Sequence, residues 1–308
     1  MYKTSRPFYL IGGLLVVGGI AYLFVAHPRT GAGTPPQVNV VHVVAAENFW
    51  GSLAEQVGGA HVEVTSIVSD PNADPHEYET DAATARAVAN ADYVIENGAG
   101  YDEWMQKLLD AAPNPKRTVL NVASLVQKKE GDNPHLWYDP DYVKSAVKQM
   151  ESDLTDIDPA DAASYEANYE ATLSSLAGYQ DCIAAIRSAL PGARVAATED
   201  IFVYLADAAG LDLVSPPAFM QAVAEGNDPP ASSVVDFENQ LKSGGVRALV
   251  YNEQTVTPIT EHMKAMAAEY GIPVVGITET VEPPDASFET WMDAEVASLA
   301  NALGPSGK

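Results

Sequence analysis

The chain has 308 residues, of which 47% are hydrophobic, with a formal net charge of -25 and a single cysteine. That length points to about two globular domains, and that charge excludes nucleic acid and anionic lipid surfaces as partners. The lone Cys182 excludes a disulfide framework and thiolate-rich zinc sites, and its helical surroundings read as core.

Lys3 and Arg6 precede residues 8–25, an uncharged and mostly apolar run. As a helix this run spans about 27 Å, close to the thickness of a bilayer core. It exceeds the apolar region of a cleaved signal, so we read an uncleaved anchor with the body outside the membrane. Residues 31–37, rich in Gly, Thr and Pro, read as a tether. Residues 1–37 are thus anchor or signal plus tether.

The body begins with a valine-rich strand at 39–46, a helix at 49–57 and a second strand at Val62–Val68. Helix, strand, helix and strand follow at 81–89, 93–95, Glu103–Ala111 and 118–122. This alternation predicts a parallel sheet with crossover helices, whose ligands gather beyond the carboxyl ends of the strands. Two loops carry histidines in that kind of position. The first, PNADPHEYE at 71–79, sets His76 between Pro75 and the carboxylates Glu77 and Glu79. The second, NPHLWYDP, sets His135 after Pro134. Proline restricts its own backbone and that of its predecessor, so both loops start partly ordered. Imidazole is the commonest metal ligand among side chains, and two such loops suggest two imidazoles aimed at one target. Asp139 reads either as a helix cap before Pro140 or as a group that orients an imidazole; Glu77 and Glu79 read mainly as solvated loop.

From 159 to 190 the rhythm changes. Tyr165, Tyr169, Leu173, Leu176, Tyr179, Ile183, Ile186 and Leu190 recur in steps of three and four. That spacing predicts one long amphipathic helix, about 48 Å in length, acting as a rigid strut. The alternation then restarts, with strands at Arg194–Ala197, 213–214, 248–251 and 273–277. Helices at 201–209, 232–242, 259–270 and Phe288–Leu303 separate and close them. The expected organisation is an N-terminal α/β lobe at 38–157, a linking helix at 158–192 and a C-terminal α/β lobe at 193–308. Just past strand ends of the second lobe stand Glu199 and Glu279, with Glu253 as a further candidate. Each carboxylate alone reads as a loop or cap residue; their joint placement suggests ligands. Of the other histidines, His27 falls in the tether, His42 in a strand, and His61 and His262 at the surface or its boundary. Trp104, Trp137 and Tyr138 read as packing of the cleft walls.

The segments ADPHEYE, NPHLWYDP, TEDIFVYLADAAGL and IPVVGITET, with the long mid-chain helix, resemble the metal-binding solute receptors of ABC importers, the zinc and manganese group called cluster A-I. The resemblance covers roughly residues 40–303. It implies two lobes with parallel four-stranded sheets joined by a rigid helix, and one metal ion held between them. It also implies four ligands at positions matched here by His76, His135, Glu199 and Glu279. The chain departs from many relatives in lacking a His-rich loop and a lipid-bearing cysteine.

Two neutral imidazoles and two carboxylates balance the charge of a divalent ion. Nitrogen and oxygen donors suit zinc, manganese or ferrous iron and argue against a soft copper(I) site. Four protein ligands leave no position for activated water, which favours carriage over hydrolysis. The expectation is therefore a monomeric, non-enzymatic, extracytoplasmic receptor carrying one Zn2+ or Mn2+ to a membrane permease. A metal-dependent hydrolase and a surface adhesin on the same fold are the competing readings; no H-E-x-x-H motif supports the first.

Overall fold

The computed structural model describes residues 40–70 and 78–304. The apolar run at 8–25 and the loop residues 71–77, His76 among them, lie outside the described residues. Among the described residues no helix is long and apolar enough to cross a membrane.

The first lobe runs through β1 (Val41–Glu47), α1 (Asn48–Gly58), β2 (Val62–Val68), α2 (Ala82–Asn90), β3 (Tyr93–Glu96), α3 (Glu103–Ala111), β4 (Thr118–Asn121), α4 (Val122–Leu125) and α5 (Pro140–Ile157). Its sheet is parallel with strand order β2-β1-β3-β4. The run VHVVAAE forms a central strand buried on both faces except at His42, whereas the edge strand β2 alternates between more and less exposed residues. Asp139 is a helix cap: its Oδ1 accepts the backbone N–H groups of Asp141 and Tyr142, and Pro140 fills the first helical position.

The strut is not one helix. A 3₁₀ turn at Pro159–Asp161 leads into α6 (Ala162–Ser175), and α7 (Ala177–Ala189) begins after a single non-helical residue, Leu176. The side chains of Thr172, Ser174 and Ser175 donate to the carbonyls of Asn168, Glu170 and Thr172 at 2.9, 3.0 and 2.8 Å. Such back-bonding competes with the helix ladder and locally distorts it. Leu176 keeps right-handed angles, φ −70° and ψ −12°, and its N–H still reaches the Thr172 carbonyl. The periodicity predicted the buried face correctly but was blind to this competition.

The second lobe comprises β5 (Arg194–Ala197), α8 (Val203–Ala208), β6 (Asp212–Leu213), α9 (Pro217–Ala224), α10 (Ala231–Lys242), β7 (Leu249–Asn252), α11 (Pro258–Glu269), β8 (Val274–Ile277) and α12 (Phe288–Leu303). Strand order is β6-β5-β7-β8, again all parallel, so the two sheets share one topology. Helix α9 was not expected. Pro217 occupies its first turn, where a missing N–H costs nothing.

In each sheet the order reverses beside the first strand, between β1 and β3 and between β5 and β7. Chains leaving these neighbours diverge and open a crevice at the carboxyl ends. One hydrophobic core runs through both lobes, with Phe49, Trp50 and Trp137 from the first and Phe202, Phe288 and Trp291 from the second. Phe49 and Trp137 stack at 4.1 Å between ring centroids. Smaller clusters around Trp104 and around Phe219 lie apart from it. Helix α6 packs on α1 and α5, while α7 packs on α12, so the strut has contacts in both lobes.

Candidate metal centre

The carboxyl ends of the two sheets meet through hydrogen bonds. Glu279, just past β8, is only 4% exposed. The Tyr101 hydroxyl, from the loop after β3, donates to its Oε2 at 2.7 Å, and Asn252 Nδ2, the last residue of β7, donates to its Oε1 at 2.7 Å. Backbone N–H groups of Glu279 and Thr280 donate to Gln254 Oε1. A carboxylate fixed by donors from both lobes is immobile before any ligand arrives.

His135 is held in the same way from the other side. Asn133 Nδ2 donates to the Asp200 carbonyl at 2.7 Å, which settles the orientation of its amide. Its Oδ1 therefore accepts, taking the His135 backbone N–H at 2.9 Å and lying 2.8 Å from His135 Nδ1. Nδ1 must carry the proton in that bond, so the ring presents Nε2 as its acceptor. Asp200 Oδ1 stands 3.5 Å from the same Nδ1. Asn97 Nδ2 donates to the Pro134 carbonyl at 2.8 Å, and the Tyr204 hydroxyl donates to the Asn133 carbonyl at 2.9 Å. The loop is thus tied both to β3 and to the opposite lobe. The rings of Tyr101 and Trp137 flank His135, with centroids 6.1 and 5.3 Å away.

Glu199 follows β5 at the reversal point of the second sheet and is 2% exposed. Its neighbour Asp200 contacts His135, and Tyr101 links the His135 ring to Glu279. Tyr101 thus connects His135 with Glu279, while Glu199 is buried at the end of β5 beside Asp200. His76 lies outside the described residues. Glu253 does not join the others: it is exposed and accepts the Tyr251 hydroxyl at 3.2 Å. Alternation along the strand explains this, since the adjacent Asn252 is the residue that faces Glu279.

His135 and Asp200 also line a cleft of about 950 Å³ between the lobes, whose described lining includes neither Glu199 nor Glu279. Glu103, Glu130, Asp132, Asp200 and Glu225 contribute carboxylates to that lining, and among the described residues no Lys or Arg does. Such a mouth focuses field lines on cations.

Several residues of the site carried no sequence signal strong enough to single them out. Glu47 ends β1 at the reversal point of the first sheet, is fully buried, and accepts no hydrogen bond from the described residues at either carboxyl oxygen. Burial raises its pKa well above the ordinary value, and the nearby Asp102, Glu96 and Glu279 push it further. Burial likewise lifts Glu96 to about 7, although Asn121 Nδ2 donates to it at 2.8 Å. Behind Glu279, the buried Glu295 Oε1 accepts the Thr278 backbone N–H at 2.8 Å and Trp291 Nε1 at 2.9 Å. Its Oε2 accepts the Tyr138 hydroxyl of the other lobe at 2.7 Å. Burial raises Glu295 to about 7. Strand-end position could have found Glu47; Tyr101 and Glu295 depend on contacts too distant in sequence to read.

Trp137 and Tyr138 are core residues beneath the crevice, whereas Trp104 packs in a separate cluster against Tyr78, ring centroids 4.7 Å apart. Cys182 is half-buried at the edge of the core. His42 and His262 are exposed beside Glu63 and Glu238.

Against known proteins, the family described as "ZnuA: Zinc-uptake complex component A periplasmic" matches residues 43–302. The chain belongs to this family. The manganese-binding lipoprotein MntA of Halalkalibacterium halodurans is 27% identical over 270 residues, covering 85% of this chain and 87% of that one. The iron-binding protein YfeA of Yersinia pestis is 23% identical over 317 residues, covering 98% and 99%. Among solved structures, a crystal structure of ZnuA superposes with a TM-score of 0.69 at 23% identity, covering 86% of this chain and 100% of that one. A Mn-bound periplasmic metal binding protein from Candidatus Liberibacter asiaticus gives 0.70 at 19% identity, covering 85% and 99%. At these identities the structural likeness speaks for the shared two-lobe fold. Membership in the ZnuA family makes the chain one of a set of solute receptors, and nothing in the comparisons favours a hydrolase or an adhesin.

Proposed function

We propose that this chain captures one divalent transition-metal ion outside the cytoplasm and hands it to the permease of an ABC importer. The ion would be held by His135, Glu199 and Glu279, with His76 as the fourth ligand from the loop at 71–77. The observation that carries this reading is the Asn133 clamp, which fixes the His135 tautomer and leaves Nε2 as the acceptor of a ring that lines a cleft edged with carboxylates. Nitrogen and carboxylate donors suit Zn2+, Mn2+ and Fe2+. Relatives are named for manganese and for iron, and the family for zinc, so donor type and kinship leave all three as cargo. The body acts as a monomer, anchored or exported through its apolar N-terminal run. The test is elemental analysis of protein purified without added metal, followed by competition between Zn2+, Mn2+ and Fe2+. One tightly held equivalent, lost in His135→Ala and in Glu279→Ala, supports the site. Unchanged binding in both variants rules it out.

A further inference from the structure

One cluster outside the cleft also brings metal-ligating side chains together. His61, Asp158 and Asp161 each offer an atom within 4.8 Å of the others. The local sequence builds this convergence from two sides. Helix α1 ends at Gly58, and Gly59 turns the chain at φ +56°, where a Cβ would meet Asn168 Nδ2 at 2.6 Å. That same Nδ2 donates to the Val57 carbonyl at 3.1 Å, pinning the turn to α6 and delivering His61 beside it. On the other side Asp158 closes α5, its N–H bonded to the Leu154 carbonyl, and Pro159 opens the 3₁₀ turn Pro159–Asp161. With three residues per turn, positions i and i+3 eclipse, which sets the Asp158 and Asp161 carboxylates side by side.

Two features point to a ligand. First, Asp158 is 7% exposed and lies next to a second carboxylate, yet no Lys or Arg among the described residues pairs with either. The Tyr165 hydroxyl, donating to Asp158 Oδ2 at 3.3 Å, is the polar support on that side. Second, His61 Nδ1 is buried and 2.9 Å from Asp161 Oδ2, but the approach does not have hydrogen-bond geometry. A ring nitrogen and a carboxylate oxygen this close, with the ring nitrogen not directed at that oxygen, are arranged as two donors to a third centre. The ring is held edge-on to Tyr165, centroids 5.8 Å apart at 76°.

We propose that His61, Asp158 and Asp161 form a second divalent-cation site. One imidazole nitrogen and two carboxylates suit Zn2+ or Mn2+. Three protein ligands leave positions for water, so this site is open, exchangeable and weaker than the cleft site. The two sites are independent by distance. His61 immediately precedes β2, so it stands at the amino end of the sheet, about 23 Å of strand away from the carboxyl end. Occupancy would join the α1–β2 turn to the corner between α5 and α6, where the strut begins, and would stabilise the native state by binding it selectively.

Equilibrium dialysis and electron paramagnetic resonance with Mn2+ alone as probe, on the full-length chain, test this. The wild type should take up a second, weaker equivalent accompanied by a rise in Tm. His61→Ala and Asp161→Asn should each lose that equivalent and its Tm rise while keeping the tight one. His135→Ala should do the reverse, which separates failure of this site from failure of the cleft assignment. A single equivalent in the wild type up to millimolar Mn2+, or two unchanged equivalents in both His61→Ala and Asp161→Asn, would overturn the proposal. Loss of both equivalents in His135→Ala would overturn the independence of the two sites.

Discussion

The two sheets have the same strand order and yet supply the crevice differently. In the second lobe the proposed ligands sit directly on strand ends, Glu199 at the reversal point after β5 and Glu279 after β8. In the first lobe the reversal point holds Glu47 and the Tyr101 loop, whereas His135 arrives on a longer connection between α4 and α5. Strand ends are rigid and carry side chains whose reach is short. A ring on a loop must be locked by added bonds, and the Asn133 clamp to the opposite lobe supplies them. In the proposed site the carboxylates are therefore placed by the sheet, with Tyr101 steadying Glu279 across the cleft, whereas His135 is placed by the loop and its cross-cleft bonds.

The largest effects should come from deleting a donor of either kind. Loss of an outer-shell partner typically costs about 10–100-fold in metal affinity, so removing a ligand should exceed about 100-fold. His135→Ala, Glu199→Ala and Glu279→Ala should all do so while circular dichroism stays native. If the imidazole variant binds like the wild type while the carboxylate variants fail, the division of labour between lobes is wrong.

Acid should separate the halves in opposite directions. Imidazole ligands must be neutral, and their ordinary pKa is about 6.5, so metal affinity should fall as pH drops below that range. The apo fold responds the other way. Burial holds Glu295 at about 7 in the folded chain against 4.5 ordinarily. A raised folded pKa means that the protonated form is favoured by folding. Its contribution is complete below pH 4.5 and is lost as pH rises through about 7, a change of roughly 3 kcal/mol at most. Metal-free protein should therefore melt higher at about pH 5 than at about pH 8, and Glu295→Gln should reduce that slope, the remainder coming from the raised carboxyls of Glu47 and Glu96. A wild-type slope of the opposite sign, or one that Glu295→Gln leaves intact, would count against this assignment.

Much of this was legible in the sequence. The boundaries of β2, α3, β5 and α12 follow from alternation and caps, and Glu199 and Glu279 stand out as acids just past strands. What was hidden is long-range or competitive. Tyr101 meets Glu279 across 178 residues of chain. Glu295 looks like any acid in an amphipathic helix until Tyr138 and Trp291 close over it. The break at Leu176 needs three hydroxyls bonded back to the helix, and hydrophobic spacing does not register hydroxyl competition. Glu253 was a reasonable candidate by position alone, and strand alternation removes it. Tyr101 allows a finer test of the clamp: Tyr101→Phe removes one donor to Glu279 and leaves the packing, so metal affinity should weaken by about tenfold, the lower end for an outer-shell partner. Isothermal titration measures this, and unchanged affinity would make the Tyr101 bond incidental to binding.

The smallest expected effect is in the shape of the molecule. A closing clamshell needs flexible crossings and a wet interface that can open. Here the strut is interrupted at Leu176, which would invite a hinge, but the lobes are bound together on both sides of the crevice. Asn48 exchanges two hydrogen bonds with the Val281 backbone, at 3.0 and 3.2 Å. Ser52 Oγ accepts the Phe288 N–H at 2.9 Å, and Tyr138 bonds Glu295 beneath a shared apolar core. Opening the lobes would expose that core and strand those polar groups, so the break in the strut is overruled by the packing around it. Metal loading should therefore shift loops and leave the lobe angle nearly unchanged, and the radius of gyration from small-angle scattering should agree with and without metal. Asn48→Ala removes two of the cross-lobe bonds and should be the first variant to show a measurable difference between the states. A large contraction of the wild type on loading would show that the shared core does open, and would move the hinge to Leu176.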